Sequence, residues 1–271
     1  KTNIQRGEYV FTNSMTTTDA IQMLVDGDKI MRSVQFIEGK TFLDNLKALE
    51  NSEFIQQTLQ GLTLTEIMQQ ISPEINFYEG WLFPDTYLFE KGTSDLDILK
   101  VAYKRMNKVL QEEWEAKSDD AIVKSPYEAL ILASIIEKET GAAFERPMIS
   151  GVFTRRMKQG MRLQTDPTII YGLGADFDGN LTRQHLRTDS PYNTYTRSGL
   201  PPTPIANPGR EAINAALNPA EGDAVFFVAK GDGTHQFSVT LKEHNEAVRQ
   251  YQRFGRRSDY QSAPTASETS E

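Results

Sequence analysis

The chain has 271 residues and carries 29 Lys and Arg against 37 Asp and Glu, a formal net charge of −8. That acidic balance, with no long basic stretch, excludes a dedicated nucleic-acid binder, because phosphate contacts need clustered cations. With no Cys and three His, thiol catalysis, disulfide frameworks and Cys-based zinc sites are removed together.

In chain order, Gly7–Thr12 alternates as a short strand, and Thr16–Asp19 leads into a helix through Ala20, Met23 and Leu24 that stops at Gly27. Ser33–Ile37 reads as a strand, Gly39 as a turn, and Phe42, Leu43, Leu46 and Leu49 as a helix face. The two strand–helix units recur on a weak period of roughly 25 residues, too few for a solenoid. Short helices are expected around Phe54–Leu59 and Leu64–Ile71. Tyr78–Tyr87 is aromatic-rich, contains Gly80 and Pro84, and is incompatible with a regular helix. Asp95 is expected to cap a long amphipathic helix carrying Leu96, Leu99, Tyr103, Met106 and Leu110 on one stripe. Ser125 and Pro126 open an apolar helix over Tyr127–Glu139, and a further helix runs from Glu145 to Met157. Arg162 to Gly209 reads as mostly loop, and so long an irregular stretch in a compact domain is usually functional. Strands Ala224–Ala229 and His235–Val239 form a hairpin across Gly231–Gly233, followed by a helix through Leu241 and Tyr251 and a disordered tail, 257–271. The pattern as a whole is α+β, with segregated helices and short antiparallel strands.

Two segments carry chemistry. Glu137 ends the apolar helix and shares a face with Leu130, Ala133 and Ser134. A carboxyl emerging from a buried helix loses solvation, which favours its protonated form, as a general acid requires. Glu139 stands about 200° round the helix, so the two cannot point into one cleft. The competing reading is a solvated last turn whose charges mark the surface. The second segment pairs Gln164, Thr165 and Asp166 with Tyr192, Asn193, Thr194 and Tyr195. Their amides, hydroxyls and phenol rings suit a sugar, with its hydroxyl edges and apolar ring faces. Ordinary turn chemistry is the alternative there. His185, His235 and His244 lack metal-ligand spacing and read as ordinary surface or hydrogen-bonded histidines. No metal or cofactor is expected.

Several motifs in one order resemble the endolytic murein transglycosylase, or YceG-like, family. They are Glu79–Tyr87, the helix end Leu132–Thr140 with Glu145-Arg146, Gly160–Thr168, Pro191–Tyr195, Gly199–Pro202 and Asn207–Gly209. The resemblance implies a LysM-like module, N-terminally truncated at 1–39, before a catalytic domain at 40–256. It implies a single-pass anchor missing from this chain and a place on the periplasmic face of the bacterial inner membrane. Lys1 in place of Met fits such a processed piece, and no run reaches the roughly 20 apolar residues of a membrane span. Peptidoglycan glycan strands are the implied substrate and peptidoglycan synthases the implied partners. The implied reaction cleaves the bond between N-acetylmuramic acid and N-acetylglucosamine within the strand, leaving 1,6-anhydro ends. The resemblance carries the family's catalytic Glu onto Glu137, and Arg155 stands where many members have Asn, a position tied to the choice between transglycosylation and hydrolysis. A muramidase using Asp166 or Glu145 to position water, and a non-catalytic peptidoglycan-binding scaffold, are the rival expectations.

Overall fold

The computed structural model describes residues 4–254; the expected tail lies outside them. Helix α1, Thr17–Asp26, starts at a reciprocal capping box between Thr16 and Asp19 and stops at Gly27 in the left-handed conformation. Strand β1 (Arg32–Phe36) leads into α2 (Phe42–Glu50), capped in the same way by Thr41 and Asp44, and α3 (Leu64–Ile71) by Thr63 and Glu66. The segment Tyr78–Tyr87, read as incompatible with a helix, is not helical and runs into strand β2, Asp85–Phe89. It pairs antiparallel with β1, Val34 facing Tyr87, so a strand N-terminal to residue 39 shares a sheet with one well beyond it.

Three local expectations are corrected. Gly7–Thr12 forms no strand; it meets its neighbour through one backbone bond, Ile30 N–H to the Glu8 carbonyl. Phe54–Leu59 is not helical, because its backbone is taken by the start of the helix that follows β2: Gln56 bridges Thr93 and Asp95, and Thr58 and Leu59 donate to the Asp95 carboxylate. Asp95 is therefore spent on that loop, and Ser94 caps α4, Asp95–Glu115.

Helix α5 (Pro126–Glu139), capped by Ser125 with Pro at its start, is buried over every residue from Ala129 to Ile136. It lies among α4, α6 (Arg146–Lys158), α7 (Asp166–Leu173) and α9 (Arg210–Leu217). The expected long loop thus contains α7 and a short α8, Arg183–Arg187. Strands β3 (Phe226–Ala229) and β4 (His235–Ser238) form the expected hairpin, and α10, Leu241–Val248, packs on it. Short antiparallel pairs on a helical body make the chain α+β.

Candidate active site

A cavity of about 630 Å³ opens between the C-terminal end of α5, the loop into α7, the β3–β4 hairpin and α10. Glu139, Arg156, Gln164, Thr165, Asp166, Tyr195, His235 and His244 supply its polar lining, and Leu163, Phe226, Phe227 and Val228 its apolar part. This mix of apolar walls and a few convergent polar groups is what a small-molecule or sugar site requires.

Glu139 and Asp166 are the carboxyls at this cavity, and Glu139 is the one whose pKa is raised. Burial is the main cause that pushes it up to about 7; the nearby Asp166 charge acts in the same direction, while the Thr165 hydroxyl, His235 and Arg156 oppose it. Thr165 occupies the N-cap position of α7 without capping it. Its hydroxyl donates instead to Glu139 Oε1, so the start of α7 is tied to the end of α5.

The loop into α7 is held from both sides. Arg156 donates to the Leu163 carbonyl at 2.7 Å and to the Val225 carbonyl at 2.6 Å, joining it to the strand hairpin. Gln164 has φ +53°, the sole positive φ outside glycine among the described residues. A side chain in that region costs on the order of 1–2 kcal/mol, and here it faces the cavity. Tyr195 donates to Asp166 Oδ1 at 2.6 Å, and burial, followed by this carboxylate, pushes the phenol pKa up.

Four of the seven sugar-site expectations, Gln164, Thr165, Asp166 and Tyr195, meet at this cavity. Asn193 and Thr194 do not line it and are 1% and 3% exposed. The Asn193 amide donates to the carbonyls of His185, Leu186 and Thr188, and the Thr194 hydroxyl bonds with Thr165 and Thr168. They build the loop. Tyr192 lines a different cavity, with its hydroxyl 2.8 Å from Thr203.

Glu137 lies away from all these groups. Its Oε1 is 3.1 Å from Arg146 Nη2, and its Oε2 accepts the Gly209 N–H at 2.9 Å, at the N-cap of α9. Both side chains of the pair are under a tenth exposed. Gly209 is packed so closely that a Cβ there would meet the Glu38 carboxyl at 2.2 Å. The carboxyl expected to act as an acid is thus paired with Arg146, the first residue of α6, which also meets Glu211 at 2.5 Å.

Glu145, 2% exposed, accepts the His235 backbone N–H at 2.8 Å and stands 2.7 Å from His235 Nδ1. An acceptor at Nδ1 sets the ring's orientation and turns the Nε2 edge away from Glu145. His235 was read from sequence as ordinary; the one signal available was its place at the head of the second hairpin strand. Arg155 is not at the cavity either. It donates to the Ala220 and Ala224 carbonyls at 3.0 and 2.7 Å, pinning the chain before β3. Among the described residues no cluster of three His, Asp or Glu side chains is arranged to hold a metal ion, and no helix is long and apolar enough to cross a membrane.

A family model described as the YceG-like family matches residues 1–250. The chain is 42% identical over 205 residues to the endolytic murein transglycosylase of Bacillus subtilis (strain 168), covering 75% of this chain and 56% of that protein. It is 27% identical over 286 residues to the endolytic murein transglycosylase of Streptococcus pneumoniae serotype 2 (strain D39), covering 92% of this chain and 51% of that one. The chain spans about half the length of these curated relatives. Its fold is similar to the 2.6 Å crystal structure of a yceG-like protein from Listeria monocytogenes, with TM-score 0.63, 30% identity, and 90% and 84% of the two chains covered. With a family match running over nearly its whole length, the chain belongs to the YceG-like family.

Proposed function

We propose that this chain is the catalytic part of a peptidoglycan lytic transglycosylase, and that Glu139, in place of Glu137, is its acid. The observation that carries the reading is a carboxyl pushed up to about 7 at a sugar-sized cavity lined by amide, hydroxyl and phenol groups. At neutral pH such a group is protonated in a substantial fraction of molecules, and it is basic enough to take a proton back.

In the proposed reaction Glu139 donates its proton to the oxygen linking N-acetylmuramic acid to N-acetylglucosamine as the C1–O bond breaks. The Glu139 carboxylate then removes the proton from the muramyl C6 hydroxyl, whose oxygen bonds to C1. A 1,6-anhydro ring forms and no water is consumed. Gln164, Thr165, Asp166 and Tyr195 hold the sugars so that the intramolecular attack outruns water. The Glu145–His235 pair acts as a positioning unit for the acid, fixing an imidazole beside it.

Asp166 favours one rival. It is a second carboxylate at the same cavity, and a hydrolase needs such a partner for water. Glu145 fits that role less well, since both its oxygens are engaged by His235. The division into a LysM-like module at 1–39 and a catalytic domain at 40–256, the placement at the periplasmic face of an inner membrane, and partnership with synthases belong to this proposal through the family resemblance. The β1–β2 pairing means that such a boundary crosses a shared core.

Mass spectrometry of products from uncrosslinked glycan strands tests the reading, with the unmutated chain, Glu139→Gln and Glu137→Gln compared. Anhydromuramyl ends lost only in Glu139→Gln are expected. Reducing ends, heavier by one water, make the enzyme a muramidase. Unchanged cleavage by Glu139→Gln overturns the assignment.

A further inference from the structure

A second cavity, of about 810 Å³, lies on the other side of the α7 start, between α2, the Tyr78-Glu79 turn, the end of α5 and α7. It adjoins the first at two points where consecutive residues divide between them: Lys138 and Glu139, and Asp166 and Pro167. Their Cα atoms are about 3.8 Å apart in each pair, so the two cavities lie back to back across the end of α5 and the start of α7.

The chemistry of the two differs. Lys40, Lys47 and Lys138 stand exposed around the second cavity, against one peripheral carboxylate, Asp44. This is an excess of cations in a chain of net charge −8. The walls are the phenol rings of Tyr78, Tyr171 and Tyr192. At the floor, Glu79 is 3% exposed; its Oε1 accepts the Phe42 N–H at 2.8 Å and its Oε2 the Tyr171 hydroxyl at 3.2 Å. Burial holds Glu79 up at about 7, so on the acid side of neutrality the floor does not cancel the lysines. N-acetylglucosamine carries no charge for three lysines to meet, and the lactyl carboxyl of a peptide-bearing muramyl sugar is neutral because it is spent in the amide bond to the peptide. The ligand this surface fits has carboxylates for the ammonium groups and small apolar groups for the rings.

We infer that the second cavity binds a short acidic peptide, the carboxylate-bearing peptide that a peptidoglycan strand carries on its muramyl sugars. The inference rests on the proposed substrate but not on the identity of the acid. Peptide binding here aligns the strand, so that a peptide-bearing sugar is presented to Glu139 and a bare one is presented less well.

The test titrates the full chain with a synthetic tetrapeptide bearing two free carboxylates, and separately with a peptide-free N-acetylglucosamine oligomer, following the tyrosine ring signals by NMR. Lys40→Gln/Lys47→Gln is the comparison variant; both side chains are exposed, so its Tm should be unchanged. Saturable shifts of the Tyr78 and Tyr171 rings by the tetrapeptide, weakened at least tenfold in the variant, support the inference. No saturation, equal affinity in the variant, or equal shifts from the peptide-free oligomer overturn it. A parallel cleavage assay compares peptide-bearing strands with strands stripped by an amidase and then amidated at the freed lactyl carboxyls, so that no carboxylate remains. A several-fold lower KM for the former, abolished by the double substitution with kcat retained, is the expected result. Tetrapeptide binding without cleavage of either strand refutes the catalytic reading and leaves this one standing.

Discussion

Glu137 and Glu139 stand two residues apart on one helix end and meet opposite environments. Glu137 is closed in by Arg146 and the start of α9; Glu139 faces a cavity, with the Thr165 hydroxyl and the neighbourhood of His235, Asp166 and Arg156 around it. The first has the partners of a structural ion pair, the second the desolvation that the proposed acid requires. Burial alone therefore does not distinguish a catalytic carboxyl from a structural one. What distinguishes them is whether the desolvating surroundings are filled by a compensating cation or by space for a substrate.

The largest expected effect is at Glu139. Glu139→Gln should lower kcat by about 10³-fold, in the range of a lost general acid, while leaving the fold intact. Because burial raises Glu139 from an ordinary 4.5 to about 7, the folded state holds its proton more tightly than the unfolded one between those values. Stability from this group is therefore full below pH 4.5, falls as pH rises through 7 and stays reduced above it. Thermal melts at pH 4 and pH 8 should find Glu139→Gln no more stable than the parent at the lower pH and more stable at the higher. Activity of the parent should decline on the alkaline side as Glu139 loses its proton. A Gln variant less stable at pH 8 breaks the contrast.

Next comes the pair that positions. His235→Gln and Glu145→Gln should each lower kcat by about 10-fold or more with KM within twofold. His235 favours the ionised form of Glu139, whereas Asp166 opposes it. Removing His235 should thus move the alkaline limb of the pH–rate profile upward, a shift that a merely structural residue would not produce. Thr165 and Arg156, which also face Glu139 and favour its ionised form, are unchanged in this comparison.

On the other side of the helix, Glu137→Ala should leave catalysis measurable below the melting range. It leaves Arg146 with Glu211 alone, at 2.5 Å, and the Gly209 N–H without its acceptor, and costs about 2 kcal/mol, as losing hydrogen bonds to a charged group does, or roughly 4–8 °C in Tm for a chain of this size. Combining it with Arg146→Ala should recover part of the loss, and a double-mutant cycle of the melts checks this. An activity loss larger in Glu137→Ala than in Glu139→Gln reverses the assignment.

The smallest effect is at Gln164. Gln164→Gly removes the positive-φ penalty, stabilising the fold by up to about 1 kcal/mol, and removes an amide from the cavity. A higher Tm with a raised KM is expected, measured by melts and initial rates.

Local chemistry made much of the fold legible. The reciprocal caps at Thr16, Thr41, Thr63 and Thr240 start their helices with residues three apart, and Ser125-Pro126 starts α5, so those elements follow from short sequence windows. The polar loop and the separation of Glu137 from Glu139 were legible for the same reason. Phe54–Leu59 failed as a helix because Asp95, some 37 residues away, claims its backbone donors. Asp166–Leu173 was hidden as loop because Pro167 and Gly172 read as breakers, although Pro is well placed in a first helical turn.

Which of the two carboxyls faces the cavity was not decided by α5 itself. The helical repeat of about 100° per residue fixes only that they face apart. The choice comes from what arrives on each side: Arg146 and Gly209 against one face, Thr165 and the hairpin bearing His235 against the other. By itself the sequence determined the caps, the buried helix, the sugar-like polarity of the 164–166 and 192–195 loops and the family. Only the tertiary structure decided which acid is ion-paired and which faces a cavity, because that depends on groups up to 90 residues apart meeting across the core.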